Sequence, residues 1–265
     1  MEYYRFVSQQ YGSSQQTLNT VSDTNMPCQS LSSSENEDEF YSPSQTRPQS
    51  PTRLINIETS NHIKLLKEKA IAINPGSKNW KYLGGDAVAG FLSYQELPMY
   101  PGKMYKIECF LNVAADVIYK DMVYHAENTP SWNPQVRTVK KIEKISENAD
   151  IIYNVSNEAM KGYISARDFV LLRVWGSSLN KYHIYTTSFT HQDCPPQPNI
   201  VRGDYGIGII LLEKTEGDLT KCIWIINYDI KVNIYRAILD KVMKSVLLEM
   251  IHNLKQHCIL LSSAS

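Results

Sequence analysis

From Ile234 to His257 apolar side chains recur at helical spacing: Ile234, Ile238, Val242, Val246, Met250 and Leu254 along one line, with Leu239, Met243, Leu247 and Ile251 beside it. A helix with so broad an apolar face has to be covered by another layer. What precedes it reads as strands. Met104 to Leu111 alternates, with Tyr105, Ile107, Cys109 and Leu111 on one side. Asn112 is then predicted to cap a short helix running to about Tyr124. Further strands are predicted over 136–145, 150–156, 168–175, 182–190, 207–213 and 221–228, with connections short enough for antiparallel neighbours. One earlier helix is predicted over 62–74, where Ile63, Leu66, Ala70 and Ile73 share a face and Pro75-Gly76 stops it. The expected class is α+β: a curved antiparallel sheet whose concave side is closed by the last helix, with space between them that need not be filled.

Residues 1–53 have another character. They hold eleven Ser and seven Gln with six acids against three bases, and too few apolar residues to offset the entropy of ordering. This segment is expected to be a disordered arm, and 54–265 a single domain able to bury about 70% of its unfolded surface. The whole chain of 265 residues balances 27 Lys+Arg with 27 Asp+Glu. That removes the broad positive field that nonspecific nucleic-acid binding needs. No apolar run approaches the roughly 18 to 20 residues that cross a bilayer, and Met1 to Gln16 is polar rather than signal-like. Five scattered cysteines, Cys28, Cys109, Cys194, Cys222 and Cys258, form no CxxC pair and fit a reducing cytosol. The Asn154-Val155-Ser156 sequon is read as chance.

The strand Asp168 to Trp175 puts Phe169, Leu171, Arg173 and Trp175 on one face and Val170, Leu172 and Val174 on the other. Arg173 thus stands in an apolar row, where a guanidinium is retained either by a structural ion pair or for a ligand. Asn154 and Ser156 on the preceding strand, and Glu158 just past it, are the local candidates to face it. His191, Asp193 and Cys194 are possible metal ligands, but they lie in a proline-rich surface loop without a second cluster, so no metal is expected. Gly203, Gly206 and Gly208 read as a turn with a bulge. Lys140, Lys141 and Lys144 read as a solvated strand face, with membrane contact as the sharper alternative. No nucleophile elbow, zinc helix, Walker loop or dinucleotide fingerprint is present.

Four stretches together resemble the START (StAR-related lipid transfer) domain family: Trp132-Asn133-Pro134, Ser165 to Val170, Val201 to Gly206, and Trp224 to Lys231, followed by the terminal helix. The similarity is to its sterol-binding branch, that of the steroidogenic acute regulatory protein and its late-endosomal relative. The resemblance implies a helix-grip fold whose tunnel, between the sheet and the last helix, holds one lipid, a sterol in that branch. It implies that Arg173 is the tunnel arginine, whose family partner is an acid nineteen residues earlier. Here that position is Asn154, which cannot neutralise a guanidinium. The implied lipid contacts are Arg173, Asn154, Asn133, Trp132, Phe169, Leu171 and Glu158. The implied gate is Gly162 and Ile164 in a loop, facing Val242 and Val246. Val232 and Tyr235 stand where relatives usually carry Gly and Pro, which should alter how the lid hinges.

Within the arm, Glu35 to Pro43 resembles the phosphorylated variety of the "two phenylalanines in an acidic tract" motif, extending to Gln45. Its implied partners are the VAP proteins of the endoplasmic reticulum. In this reading Phe40, with Glu39 and Tyr41 beside it, fills an apolar pocket, and phosphate on Ser42 supplies about −1.5 to −2 charges. The family's membrane spans, which precede this motif in the endosomal relative, have no counterpart here, so the chain is expected to be cytoplasmic and peripheral at membranes. The expected function is non-enzymatic lipid transfer by a monomer without cofactor. The alternative is a lipid-gated regulator that binds without shuttling, and acyl-CoA thioesterase activity is disfavoured.

Overall fold

The computed structural model describes residues 57–264. The arm expected over 1–53, with its acidic segment and the partner-binding candidates Glu39, Phe40, Tyr41 and Ser42, lies outside the described residues.

The chain opens with helix α1 (Ile57–Ala72), then strands β1 (Lys81–Asp86), β2 (Gly90–Gln95) and β3 (Met104–Asn112). Helix α2 (Ala115–Tyr124) and a 3-10 turn (Ala126–Ser131) lead to β4 (Val136–Ser146), β5 (Ala149–Ser156), β6 (Arg167–Ser178) and β7 (Lys181–Ser188). The short β8 (Val201–Arg202), then β9 (Asp204–Lys214) and β10 (Leu219–Asp229), precede the long helix α3 (Arg236–Ala264). The strands form one curved sheet in the order β1-β2-β3-β10-β9-β7-β6-β5-β4, antiparallel throughout, with β8 parallel to β6 off that path. After β3 the chain therefore crosses to the far edge through α2 and returns strand by strand, until β10 pairs with β3.

Alternation sorts the side chains onto two faces. On the convex face Val170, Leu172, Val174, Ile207, Ile209 and Ile225 pack with Leu66, Ala70 and Ile73 at the α1 end of the chain. On the concave face Leu92, Ile107, Cys109, Leu111, Cys222 and Ile226 meet Met243, Leu247, Met250, Ile251 and Leu254 of α3. Each such buried apolar side chain on α3 is worth roughly 1.5–3 kcal/mol, which is how so long a helix is held in place.

Several local expectations need correction. Helix α1 starts at Ile57, earlier than the periodicity suggests, and α3 runs on to Ala264. Asn112 is the last residue of β3 and does not cap α2, whose N-cap is Ala114 without a side-chain bond. The β1–β2 hairpin is absent from the sequence reading because Gly84 and Gly85 interrupt any alternation. Gly85 takes φ +89 at that hairpin, which only glycine adopts freely. At β9 the expected bulge is present. Asn227 pairs with Ile207 and Tyr228 with Tyr205, leaving Gly206 unpaired, and a Cβ there would lie 2.2 Å from Asn227 Oδ1.

Candidate functional site

Helix α3 packs over β1–β3 while α2 packs over β7 and β9. The centre of the concave face, on β9 and β10, lies between the two helices. Tyr205, Ile210, Trp224 and Tyr228 point there, each only partly buried although it stands on a central strand. Burial nonetheless pushes the Tyr205 and Tyr228 phenols far above the ordinary tyrosine value. These four side chains retain accessible surface although they stand between α2 and α3. Tyr228 Oη donates to Met243 Sδ of α3 at 3.7 Å. The Tyr205 and Tyr228 rings stack at 5.8 Å, and Phe169 meets both edge-on at 6.2 and 6.5 Å. The lining is thus aromatic and aliphatic, with phenol hydroxyls as sparse polar points.

One charged pair is buried beside α2 on the same sheet. Arg173 and Asp150 are register partners on β6 and β5, and each is only 5% exposed. Arg173 Nε donates to Asp150 Oδ1 at 2.8 Å and Nη2 to Oδ2 at 2.6 Å, a bidentate pair. Its Nη1 donates to the Met122 carbonyl at 2.9 Å and Nη2 to that of Val123 at 3.1 Å. Both carbonyls belong to the last turn of α2, where a cation is favoured. Four of the five N–H donors are thereby used, and the pair carries no net charge.

This corrects the expected partner of Arg173, which is neither Asn154 nor Glu158. Asn154 is half-buried on the same face of β5 but opposite Phe169, four residues along, about 13 Å at the rise of a strand. Glu158 is exposed, its Oε2 3.6 Å from where a Cβ on Gly162 would stand. Asp150 was missed although it shares the parity of Asn154, because only the register of β5 on β6 chooses between them. Phe169 and Leu171 are buried on the concave side with Ala126, Val139 and Ile152. Asn133 is buried, and its Oδ1 accepts from the Gln135 amide at 3.1 Å. Trp132 stacks on His257 of α3 at 5.5 Å. His257 Nε2 lies 2.8 Å from Asp121 Oδ2, which ties α2 to α3.

The gate candidates occupy two segments. Between β5 and β6 an Ala159–Ile164 bridge closes a loop in which Met160, Lys161 and Gly162 take φ of 52, 56 and 90. Two successive non-glycine residues in the left-handed region cost roughly 1–2 kcal/mol each, so the turn is strained. Ile164 is buried beneath it and Gly162 exposed. On α3, Val242 is buried and Val246 half-buried, the Val246 carbonyl accepting from Gln135 Nε2 at 2.6 Å. A residue that sequence reasoning passed over joins this loop to the approach to α3. Arg167 Nη1 donates to Ser165 Oγ at 2.8 Å and Nε to the Ile230 carbonyl at 2.8 Å.

The remaining motif residues are scaffold. Asp168, fully buried, pairs with Arg202 at 2.8 and 2.9 Å and accepts from Tyr153 Oη at 3.0 Å. This pair clamps the Ser165–Val170 stretch to the Val201–Gly206 stretch. A Cβ on Gly203 would collide with the Phe169 ring at 2.3 Å. His191 Nε2 is engaged by Glu143 Oε2 at 3.0 Å. Lys141 Nζ donates to the Tyr124 carbonyl and Lys144 pairs with Glu147 at 3.0 Å. Among the described residues no helix is long and apolar enough to cross a membrane.

Comparison with known proteins agrees with this geometry. The START domain family model matches residues 63–262. The mitochondrial steroidogenic acute regulatory protein of Salvelinus fontinalis is 28% identical over 157 residues, covering 58% of this chain and 55% of that protein. The same protein of Ovis aries is 23% identical over 195 residues, 71% of this chain and 67% of that one. The chain thus spans little more than half the length of the first curated relatives it matches. Among solved structures, human StAR-related lipid transfer protein 5 superposes with a TM-score of 0.69 at 19% identity, over 75% of this chain and 95% of that one. Human STARD10 does so with a TM-score of 0.63 at 18% identity, over 80% and 81%. A curved antiparallel sheet with partly accessible aromatic side chains on its concave face, a long last helix packed on that face, and a family match across three quarters of the sequence lead to one conclusion: the chain belongs to the START domain family.

Proposed function

We propose that the chain is a non-enzymatic carrier that takes one sterol from a membrane, shields it between the sheet and α3, and releases it to another membrane. The observation that carries this reading is the accessible, mostly apolar surface of Tyr205, Ile210, Trp224 and Tyr228 at the centre of the sheet. Covering a sterol-sized apolar body there supplies several kcal/mol at ~25 cal/mol per Å². A net-neutral corner suits a lipid whose polar group is a single uncharged hydroxyl. Such a hydroxyl can accept from the remaining Arg173 Nη1 hydrogen and donate to Asp150, while a phosphate headgroup would face the Asp150 carboxylate. The names of the relatives, which speak of steroid regulation and lipid transfer, support the same class.

The lipid contacts proposed are Arg173, Phe169 and Leu171, joined by Tyr205, Trp224 and Tyr228. Asn154, four residues along β5 from Asp150, and Asn133, Trp132 and Glu158 act at the walls or the rim. Gly162, Ile164, Val242 and Val246 form the gate. The arm supplies the address: Glu39, Phe40 and Tyr41, with phosphate on Ser42, dock on VAP proteins and keep the carrier at endoplasmic-reticulum contact sites. Transfer of dehydroergosterol between phosphatidylcholine vesicles tests the carrier reading. Saturable binding with catalytic transfer is expected, and binding without transfer would favour a lipid-gated regulator instead.

A further inference from the structure

A polar cleft of about 300 Å³ lies on the convex side of the sheet, between the first turns of α1 and the strand ends that carry Ser188, Arg202, Asp204 and Lys231. Val170, which also lines it, belongs to the row packed against α1, so the cleft is separate from the concave face. Two bases and two acids border it: Arg202 and Lys231, Glu58 and Asp204. Arg202 spends Nε and Nη2 on Asp168 and on the carbonyls of Cys194 and Pro195, which leaves its Nη1 hydrogens without a bond among the described residues. Lys231 is exposed and forms no ion pair among the described residues; its backbone is left-handed at φ 49, and Asp229 Oδ1 accepts its amide at 2.8 Å. Asp204 stands directly opposite Asp229 in the β9–β10 ladder. Like charges so placed repel, which favours a cation beside them. The Phe189 ring, half-buried, meets His62 of α1 edge-on at 5.3 Å and completes the wall.

We infer that this cleft binds a zwitterion in which a phosphate and an ammonium are joined by a short link, the chemistry of a phosphocholine or phosphoethanolamine group. The phosphate oxygens accept from the Lys231 ammonium and from Arg202 Nη1. Ser188 adds a third donor, because its Oγ accepts the Tyr205 amide at 2.7 Å and keeps its own proton for a ligand. The ammonium lies toward Asp204 and against the Phe189 ring, where the carboxylate and the face of the ring both attract a cation. Neither half alone matches the lining. A simple anion would stand against Asp204 and Glu58, and a simple cation against Lys231. At about 300 Å³ the cleft is at the small end of ligand pockets, the size of a headgroup rather than of a whole lipid. A membrane phospholipid and a free phosphocholine present the same group, so the two sources are separated by experiment.

Phosphocholine is titrated into the full chain by calorimetry, beside inorganic phosphate and choline given separately. Saturable binding of phosphocholine is expected, with either half roughly tenfold weaker or more, and amide exchange should slow at 188–190, at 202–204 and around Lys231. Lys231→Gln and Asp204→Asn, both at exposed positions, should each weaken binding roughly tenfold or more without lowering the thermal midpoint. Flotation with phosphatidylcholine vesicles separates the sources. Capture that free phosphocholine competes away assigns the group to a membrane lipid, and calorimetric binding without capture assigns it to a soluble ligand. Dehydroergosterol should leave phosphocholine bound, since the concave face is a different site, so the outcome stands whether or not the carrier reading does. Phosphate or choline binding as tightly as phosphocholine, binding that survives Lys231→Gln, displacement by dehydroergosterol, or no binding at millimolar concentration would overturn the inference.

Discussion

Arg173 and Asp150 carry the strongest single-residue consequence. Removing Asp150 leaves a guanidinium in a nearly dry corner with only two carbonyls, and breaking a buried pair of this kind costs about 3–5 kcal/mol. Asp150→Ala should therefore lower the thermal midpoint sharply, while the double replacement Asp150→Leu with Arg173→Met recovers most of the loss. Asn154→Ala, by contrast, should change stability little; an Asn154 effect as large as that of Asp150 would contradict the observed register. The sequence exposes Arg173 as anomalous through its apolar neighbours on Phe169–Trp175. It does not reveal the partner, because Asp150 and Asn154 share a face and a shift of four residues exchanges them. The phenols give a second test. Tyr205 and Tyr228 are raised above the ordinary value of about 10, so above that pH the unfolded chain has released protons that the native chain keeps. Stability should fall as pH rises past 10, and Tyr228→Phe should make the decline shallower in denaturant titrations followed across pH.

At the scale of elements, the β5–β6 connection and the β10–α3 connection are joined by Arg167. Its bonds to Ser165 and Ile230 join the strained Met160–Gly162 turn to the segment that leads into α3. Charge-assisted hydrogen bonds are worth about 1.5–3 kcal/mol, so Arg167→Ala should raise amide exchange in both segments together and speed lipid exchange. Exchange rising in only one of them would show that the segments are not coupled. The long periodic elements are legible in the sequence, since the apolar stripe of α3 and the alternation of β3 and β6 repeat over enough residues to outweigh local noise. The β1–β2 hairpin is not legible, because glycines at Gly84 and Gly85 provide backbone freedom instead of a pattern. At the start of α3, the Tyr235 carbonyl accepts the amides of Ile238 and Leu239, so the helix begins without the family's proline, a short segment after an Asp229–Lys231 turn.

For the whole molecule, the order of strands follows from the passage of α2 across the concave face after β3, and this long-range crossing has no local signature. It nevertheless creates the site: α2 and α3 stand on either side of β9 and β10 and leave Ile210 and Trp224 partly accessible between them. The aromatic lining was thus beyond sequence reasoning, although Tyr205 and the Trp224–Tyr228 strand lie inside the stretches that carried the family resemblance. The most direct measurement is native mass spectrometry of the gently purified full chain, followed by organic extraction of whatever it carries. A single lipid per chain with one hydroxyl as its polar group, displaced by dehydroergosterol, is expected. A chain that neither retains a lipid nor acquires one from sterol-loaded vesicles would contradict the account.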